Sequence, residues 1–183
     1  MNFSGMRSQS RGFTLIELLV AITIISILAT IGLRTFLGAQ AKSRDAKRKS
    51  DLAAIQKAME LYYNDCGTYP TTIGDGDIIG CGSSGSCNVG AEVCTPGEEW
   101  IRNGVTYMQE LPSDPMGNYF YDWSSSGYTL FARLENTSDN DVPHSGTVPQ
   151  AYKTIWCRQS PHDECNYALP GPGANLSPIL IED

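Results

Sequence analysis

The sequence predicts an α+β protein in which one long N-terminal α-helix packs on a small antiparallel β-sheet. Three observations predict this fold: an apolar run over residues 13 to 33, a helical periodicity that continues to Asn64, and an alternating hairpin pattern over residues 119 to 134. Residues 1 to 12 precede the helix as a short leader. The predicted organisation is therefore a leader, a helix with two different halves, and a globular head of residues 65 to 183.

The apolar run contains a single charged residue, Glu17. A helix of this length spans about 30 Å, which is enough to cross a bilayer once. The run is too long for the apolar core of a secretory signal peptide, and no Ala-x-Ala site follows it. We therefore expect residues 13 to 34 to form a transmembrane helix half, which makes the chain a single-pass membrane protein in contact with lipid.

The helix is predicted to continue over residues 35 to 64 as an amphipathic half, because no proline interrupts this segment. Its apolar side chains recur at spacings of three and four: Leu52, Ile55, Met59 and Tyr62. From residue 13 to residue 64 such a helix would be about 78 Å long. The apolar stripe offers the predicted sheet a partner for its own apolar face.

The predicted sheet occupies about residues 118 to 158 of the head. Residues 119 to 123 and 128 to 134 alternate apolar and polar side chains on either side of a serine- and glycine-rich turn. Residues 151 to 157 are the predicted third strand. The tyrosines and tryptophans of this region are expected to be core residues, so no binding function is read from them.

All six cysteines lie after the predicted helix. An even number of cysteines suits disulfide bonds in an oxidising compartment. No Cys-x-x-Cys pair occurs and the two histidines do not fall at a zinc-finger spacing, so disulfides are preferred to the alternative of a zinc cluster. Four of the cysteines are expected to staple a glycine- and serine-rich stretch, with their pairing left open: Cys66, Cys81, Cys87 and Cys94.

Charge divides the chain between the helix and the head. Residues 34 to 60 hold seven basic and three acidic residues, whereas residues 65 to 183 hold 16 acidic and 4 basic residues. Five of the basic residues are crowded together: Lys42, Arg44, Lys47, Arg48 and Lys49. Three interpretations of this basic cluster are open: contact with the acidic head of a neighbouring subunit, a solvated face, or contact with lipid headgroups. The acidic head argues against direct nucleic-acid binding, since phosphate contacts need a positive surface.

Residues 11 to 20, RGFTLIELLV, resemble the prepilin signature of type IV pilins and type II secretion pseudopilins. In that family a prepilin peptidase cuts after the glycine on the cytoplasmic side and N-methylates the new terminus. The resemblance implies cleavage between Gly12 and Phe13, methylation of Phe13, and assembly of identical subunits into a filament by a membrane platform protein and an assembly ATPase. Arg34 stands where most relatives carry a proline.

Glu17 falls where the family keeps a glutamate, and its position also has a physical meaning. A carboxylate inside a bilayer costs about 3 kcal/mol at the centre and less near the end of a span. Cleavage after Gly12 creates an α-amine that stays largely protonated near neutral pH. We expect this amine to neutralise Glu17 of a neighbouring helix and so to set the register of assembly. The alternative is a carboxylate that reaches the headgroups.

Residues 111 to 117, LPSDPMG, are similar to the Leu-Pro-x-Asp-Pro-Trp-Gly segment of major pseudopilins. In those relatives a loop after the second strand holds a structural calcium ion. This resemblance implies Glu135, Asp139 and Asp141 as calcium ligands, because calcium prefers oxygen ligands. The alternative is an acidic surface loop without metal, and no cofactor is required.

A further resemblance concerns the last two cysteines. Many pilins carry a disulfide between a C-terminal pair of cysteines, which implies a bond between Cys157 and Cys165 that closes a short loop around Ser160 and Pro161.

The location of the head follows from two opposing arguments. More basic residues lie beyond the apolar run than in the leader, so a positive-inside count would place the head in the cytoplasm. The cysteines and the family resemblance instead place it outside the cytoplasmic (inner) membrane. We expect the subunit there before assembly, and in a cell-surface or periplasmic filament afterwards.

The sequence therefore predicts a structural subunit of a type IV filament, either a type IV pilus or a type II secretion pseudopilus. The alternative is a single-pass membrane-anchored extracellular adhesion or binding protein that does not polymerise. An enzyme is not expected, because the common nucleophile, phosphate-binding and metalloprotease motifs do not occur.

Overall fold

The computed structural model describes residues 12 to 74, 76 to 83, 87, 90 to 125, 127 to 152, 155 to 159 and 162 to 174. Its N-terminal element is a long α-helix, α1 (Leu15–Cys66). The chain divides into two compact units, Met1–Gln40 and Ala41–Asp183, so that α1 contributes to both. The predicted leader, except for Gly12, lies outside the described residues.

Helix α1 ends two residues later than the sequence predicts. Gly67 follows it with a φ of 68°, a left-handed conformation that glycine adopts without steric cost. Its N–H donates to the carbonyl oxygen of Tyr63 at 2.7 Å. The glycine therefore caps the helix and turns the chain into the head.

In the described part of the head, twelve short strands follow α1. In chain order they are β1 (Thr71–Ile73), β2 (Asp77–Cys81), β3 (Glu92–Val93), β4 (Trp100–Arg102), β5 (Val105–Met108), β6 (Phe120–Ser124), β7 (Gly127–Ala132), β8 (His144–Ser145), β9 (Val148–Pro149), β10 (Trp156–Gln159), β11 (His162–Glu164) and β12 (Tyr167–Pro170). Strands β1 to β3 form one antiparallel sheet, and β4–β5, β8–β9 and β10–β11 form hairpins. The predicted α+β architecture is confirmed.

The central sheet has the strand order β12-β7-β6. Strands β6 and β7 form the predicted hairpin, in which Tyr121 pairs with Leu130 and Trp123 with Tyr128. Strand β7 is buried along its whole length because both of its faces are covered: Leu130 packs in the core with α1, whereas Phe131 packs in a second cluster with Tyr152. The central strand therefore lacks the alternation of buried and exposed residues that the sequence suggested.

The prediction that residues 151 to 157 form the third strand of this sheet is wrong. The third strand of the central sheet is β12, which pairs with β7 from Tyr167 opposite Ala132 to Pro170 opposite Thr129. Residues 156 and 157 instead belong to β10 and pair locally with β11. The apolar pattern of the predicted strand has another origin, because Tyr152 and Ile155 pack on a small cluster formed by Phe131, Cys157 and Cys165.

The core lies between α1 and the sheets. The predicted apolar stripe of α1 forms the helix side of this core. Its side chains are at most 2% exposed: Leu52, Ile55, Met59 and Tyr62. They belong to a cluster of buried side chains that also includes Trp100, Tyr107, Tyr121, Tyr128 and Leu130. The buried polar atoms of this core are paired: Trp100 Nε1 donates to the carbonyl of Gly80 at 3.1 Å, and the Tyr121 hydroxyl donates to that of Pro70 at 2.7 Å. The predicted packing of the stripe is confirmed.

Three disulfide bonds join the six cysteines: Cys66–Cys87, Cys81–Cys94 and Cys157–Cys165. The first bond ties the end of α1 to the connection between β2 and β3. The second ties β2 to the residue after β3. The third closes the loop that holds β10 and β11 together, while Ser160 and Pro161 of that loop lie outside the described residues. Each bond stabilises the head by restricting the unfolded chain.

Replacing Leu52 by alanine tests the contribution of the stripe to stability. Leu52 is 0% exposed, so Leu52→Ala removes buried methyl groups, leaves a cavity and should lower the free energy of unfolding by about 2–5 kcal/mol. Urea titration of the full chain in detergent, followed by tryptophan fluorescence, measures the loss.

Leu61→Ala is the matched control. Leu61 is on the same helix but is 55% exposed, so the identical substitution should change stability by less than about 0.5 kcal/mol. Equal losses for the two variants would contradict the assignment of the buried face.

Candidate functional site

The N-terminal end of α1 carries the predicted processing site. Gly12 and Phe13 precede the first helical residue and both are exposed, with Phe13 at 86%. Because the peptide bond between them is neither helical nor covered by other described residues, the chain presents it to a protease. Cleavage at this position stays a prediction.

Glu17 caps the helix in which it lies, a role that the sequence analysis missed. The Thr14 N–H and hydroxyl donate to Glu17 Oε2 at 2.8 and 2.7 Å, and the Glu17 N–H donates to the Thr14 hydroxyl at 3.3 Å. These reciprocal bonds form a capping box, for which the signal Thr-x-x-Glu was available in the sequence. The cap holds the carboxylate at the N-terminal end of α1, close to the amine that cleavage after Gly12 would create.

The first unit presents an apolar surface that it does not bury. The large apolar side chains that follow Phe13 in this part of α1 are between 48% and 87% exposed: Leu15, Ile16, Leu18, Leu19, Val20, Ile22, Ile24, Ile25, Ile27, Leu28, Ile31, Leu33, Phe36 and Leu37. By length and composition, α1 is able to cross a membrane. Such a surface fits a membrane anchor or a contact with other apolar helices.

The second half of α1 carries a buried ionic cluster on the same face as the apolar stripe. The helical spacing of the stripe extends backwards from Leu52 to Arg48 and Asp45, each of which is only 2% exposed. The buried face of α1 is thus apolar at its C-terminal end and charged at its N-terminal end. Burial of these charges requires partners, because an unpaired ion in a protein interior is costly.

Arg48 lies at the centre of this cluster and bonds with three carboxylates. Its Nε and Nη2 donate to Asp114 at 2.6 and 3.2 Å, and its Nη1 donates to Asp45 at 2.7 Å and to Glu135 at 2.8 Å. Burial opposes the charge of the guanidinium, but hydrogen bonds to Asp114 and Glu135 outweigh it and raise the pKa of Arg48. Arg48 therefore joins α1 to two segments of the head that are far away in sequence.

Glu135 is shared between two arginines of α1. Arg44 Nε donates to Glu135 Oε1 at 2.7 Å, beside the bond from Arg48. The hydrogen bond from Arg44, together with the bond and the charge of Arg48, lowers the pKa of Glu135 to about 2. Glu135 is thus a charged partner of α1 at every pH near neutrality.

The two acids at the centre of the cluster also order the backbone of the head. Asp45 accepts the N–H groups of Glu135 and Asn136 at 2.9 and 2.8 Å. Asp114, in the segment that resembles major pseudopilins, accepts the N–H groups of Met116 and Gly117 at 2.8 and 3.1 Å. Charge-assisted bonds of this kind are stronger than neutral ones. The cluster therefore fixes the start of two loops as well as the helix.

Lys49 makes a second ionic contact one residue further along the helix. Its Nζ donates to Asp139 Oδ1 at 2.7 Å and to Asp141 Oδ2 at 2.6 Å. The bond from Lys49 lowers the pKa of Asp139. Burial lowers the pKa of Lys49, but the bonds to both aspartates outweigh that effect and raise it. The loop after β7 is thus tied to α1 at each of its acidic side chains.

These contacts change the interpretation of the basic cluster. Arg44, Arg48 and Lys49 pair within their own chain, which none of the three interpretations drawn from the sequence included. Lys42 is exposed, and Lys47 is exposed with only a 3.8 Å approach to Asp51. Positions 44, 45, 48 and 49 share one helix face by their spacing, which was the available signal for an internal contact.

The same contacts bear on the calcium prediction. Glu135 faces Arg44 and Arg48, whereas Asp139 and Asp141 face Lys49, so the three predicted ligands do not converge on one point. No group of three metal-ligating side chains occurs among the described residues. As arranged here the three carboxylates do not fit a calcium ion, because each already bonds with a cationic side chain. Calcium binding itself stays a prediction.

Comparison with known proteins identifies relatives of the chain. Residues 7 to 33 match the family model described as the prokaryotic N-terminal methylation motif. The type II secretion system core protein G of Aeromonas hydrophila is 35% identical over 112 residues, 61% of this chain and 71% of that protein. The core protein G of Klebsiella pneumoniae is 32% identical over 140 residues, 75% of this chain and 90% of that protein.

A more distant similarity links the chain to pilins. The type IV major pilin protein PilA of Myxococcus xanthus is 36% identical over 69 residues, 38% of this chain and 31% of that protein. No solved structure matches the chain at a significant level. The resemblance that residues 11 to 20 suggested is confirmed.

Replacing Arg48 tests the ionic cluster. Arg48→Met leaves Asp45 and Asp114 buried without their counter-ion, so the free energy of unfolding should fall by about 3–5 kcal/mol. The control Lys47→Met changes a neighbouring cation that is 58% exposed, and should cost less than about 1 kcal/mol. Urea titration of the two full-length variants measures both losses, and similar values would show that Arg48 does not organise the cluster.

The lowered pKa of Glu135 predicts a dependence of stability on acid. The pKa of about 2 in the folded chain lies below the ordinary value of 4.5 for a glutamate, so the stabilisation from Glu135 is complete above pH about 4.5. It is lost as the pH falls from about 4.5 towards about 2. Melting temperatures measured across this range should fall less steeply for Glu135→Gln than for the unmodified chain.

Glu98→Gln is the control for this titration, because Glu98 is an exposed acid of the head. Its curve should parallel that of the unmodified chain. If Glu135→Gln followed the unmodified curve as well, the pairing of Glu135 with Arg44 and Arg48 would not contribute to acid sensitivity.

Proposed function

This chain belongs to the type II secretion core protein G family and is a structural filament subunit, and we propose that its filament is the pseudopilus of a type II secretion system. The observation that carries this proposal is the extent of the similarity. The matches to core protein G run over 112 and 140 residues and so extend well beyond the 52 residues of α1. The match to PilA is only 69 residues long. The head, and not only the helix, therefore favours the secretion system over a pilus.

The exposed apolar part of α1 is the proposed assembly surface. Before assembly its side chains lie in lipid, and in the filament they pack against the same segment of neighbouring subunits. Lipid and apolar helices are equally suitable environments for these side chains, so the transfer costs little hydrophobic free energy. Register must then come from polar groups, because apolar surfaces alone specify it poorly.

Glu17 is the proposed source of that register. Once the leader is removed, the amine of Phe13 lies next to Thr14, the residue that caps Glu17. In a bundle of helices, the amine of one subunit neutralises Glu17 of another. In an apolar environment an unpaired carboxylate or ammonium is costly, so a misaligned subunit is disfavoured.

The processing enzyme and the assembly machinery are proposed partners. Relatives of this family imply a filament of identical subunits processed by a peptidase. We assign that peptidase to the prepilin type, cutting between Gly12 and Phe13 and methylating Phe13. A membrane platform protein and a cytoplasmic ATPase would insert the processed subunit into the filament.

The proposed location of the head is outside the inner membrane. Three disulfide bonds in this part of the chain fit an oxidising compartment. The pairing of Arg44, Arg48 and Lys49 with acids of the head also weakens the positive-inside argument, since these cations fold as part of the head. We propose no catalytic role, because Arg48 and the buried acids Asp45 and Asp114 bond to one another in a structural cluster.

The mass of the N-terminal peptide tests the proposal first. Expressed with an active prepilin peptidase, the full chain should begin at N-methyl-Phe13, and without the peptidase it should keep Met1. Mass spectrometry of the intact protein and of its N-terminal peptide distinguishes the two. An unprocessed terminus in the presence of active peptidase would leave the alternative of a membrane-anchored extracellular protein that does not polymerise.

Substitution of Glu17 then tests assembly in the same cells. Glu17→Gln keeps a side chain that can complete the capping box but removes its charge. It should be processed normally and yield at least about tenfold less sheared filament, since the loss of one ion pair in an apolar environment exceeds about 1.4 kcal/mol. Thr14→Val is the matched control, because it removes both hydroxyl bonds of the cap and keeps the charge. If Thr14→Val abolished assembly while Glu17→Gln did not, Glu17 would act as a helix cap and not as a partner of the amine.

A further inference from the structure

The loop that follows β7 is a compact acidic turn. Inside it, the Asp139 N–H donates to the carbonyl of Asn136 at 3.0 Å, and the Val142 N–H donates to the carbonyl of Asp139 at 3.1 Å. The Asp141 N–H donates to Asp139 Oδ1 at 3.0 Å. This turn holds the carboxylates of Asp139 and Asp141 on the same side of the loop, facing α1. Two carboxylates on the same side of a short turn repel each other, and a cation between them removes this repulsion.

Lys49 supplies that cation. Its ammonium lies 2.7 Å from Asp139 Oδ1 and 2.6 Å from Asp141 Oδ2, so a single positive group bridges both carboxylates. The three donors of an ammonium suit this bridging arrangement. The Nζ atom also lies 5.6 Å from the centre of the Tyr167 ring, whose face adds a favourable cation–π contact. The side chain of Lys49 on α1 thus contacts both the loop and β12.

We propose that the Lys49 ammonium is the built-in cation of this loop and takes the place that a bound calcium ion would occupy, so that the head is stable without a divalent metal. Calcium requires six to eight oxygen ligands. The third predicted ligand, Glu135, is held by Arg44 and Arg48 and lies outside the contact made by Lys49. Entry of calcium would require Lys49 to leave both aspartates and would leave its ammonium without a partner.

A covalently attached cation has a consequence that a bound metal does not share. Because Lys49 belongs to the same chain, its effective concentration at the loop is independent of the surrounding medium. The stability of the subunit should therefore be indifferent to the calcium concentration outside the membrane. This inference concerns the folded monomer and does not depend on the type of filament that the subunit forms.

Melting temperature with and without calcium tests the inference directly. The probe is the full unmodified chain in detergent, in a calcium chelator and then in about 10 mM calcium chloride, a concentration at least about ten times the dissociation constant of weak extracellular sites. The two melting temperatures should agree within about 1 °C. Calcium at about 100 times the dissociation constant of a site would raise the melting temperature by several degrees. Such a rise would overturn the proposal.

A pair of lysine substitutions tests the role of the ammonium. Lys49→Met leaves the two carboxylates without their cation and should lower the melting temperature by about 2–4 °C more than Lys57→Met does, because both ion pairs are partly exposed. Lys57 is the matched control, because it is an exposed lysine on the same helix. Equal effects of the two substitutions would overturn the proposal.

A double-mutant cycle separates charge pairing from a simple loss of packing. In a chain that already carries Asp139→Asn and Asp141→Asn, the ammonium has no carboxylates to neutralise. Lys49→Met should then cost no more than Lys57→Met. A full-sized loss in this background would show that Lys49 acts through packing alone and would overturn the proposal. If Lys49→Met does not fold by itself, the calcium titration and the background with two asparagines still decide.

Discussion

The burial of one guanidinium group constrains much of this structure. Arg48 is 2% exposed, so its charge has lost its contact with water. The fold must therefore place enough negative charge around it to offset the free-energy cost of this desolvation. Three carboxylates do so, from α1 itself, from the segment before β6 and from the segment after β7. Two of these acids also accept backbone N–H groups, so the requirement of one side chain orders two loops. The buried cluster thus specifies how the head attaches to the helix, where an apolar contact alone would tolerate sliding.

The apolar stripe and the ionic cluster occupy consecutive stretches of the same helix face and act together. Leu52, Ile55, Met59 and Tyr62 supply non-directional burial, whereas Asp45 and Arg48 supply directional bonds at the end of the stripe. In the proposed filament this combination is useful, because the head must stay on its own helix while other parts of that helix contact lipid or neighbouring subunits. The disulfide from Cys66 restrains the opposite end of the same contact.

The N-terminal end of α1 combines an observed role of one carboxylate with a proposed one. Glu17 completes a capping box with Thr14 in the isolated chain, which fixes where the helix begins. The same bond keeps the carboxylate beside the position of the amine that the proposed cleavage after Gly12 would create. Since a cap satisfies N–H donors and leaves the charge in place, capping and pairing with a neighbouring subunit are compatible. Lys49 gives a parallel example, in which a residue of the helix neutralises a loop that resembles a metal site.

What the sequence by itself determined is what depends on neighbours in the chain. The helix, its apolar stripe, the β6–β7 hairpin and the processing motif at residues 11 to 20 were all readable, because helical periodicity, strand alternation and short motifs are local patterns. Only the tertiary structure decided the partners of Arg44 and Arg48, which lie up to 91 residues away, the choice of β12 as the third strand, and the pairing of Cys66 with Cys87. The local sequence around a charged residue or a cysteine does not specify its distant partner. That choice is made when the whole chain packs, since only the packed core determines which groups lose water together.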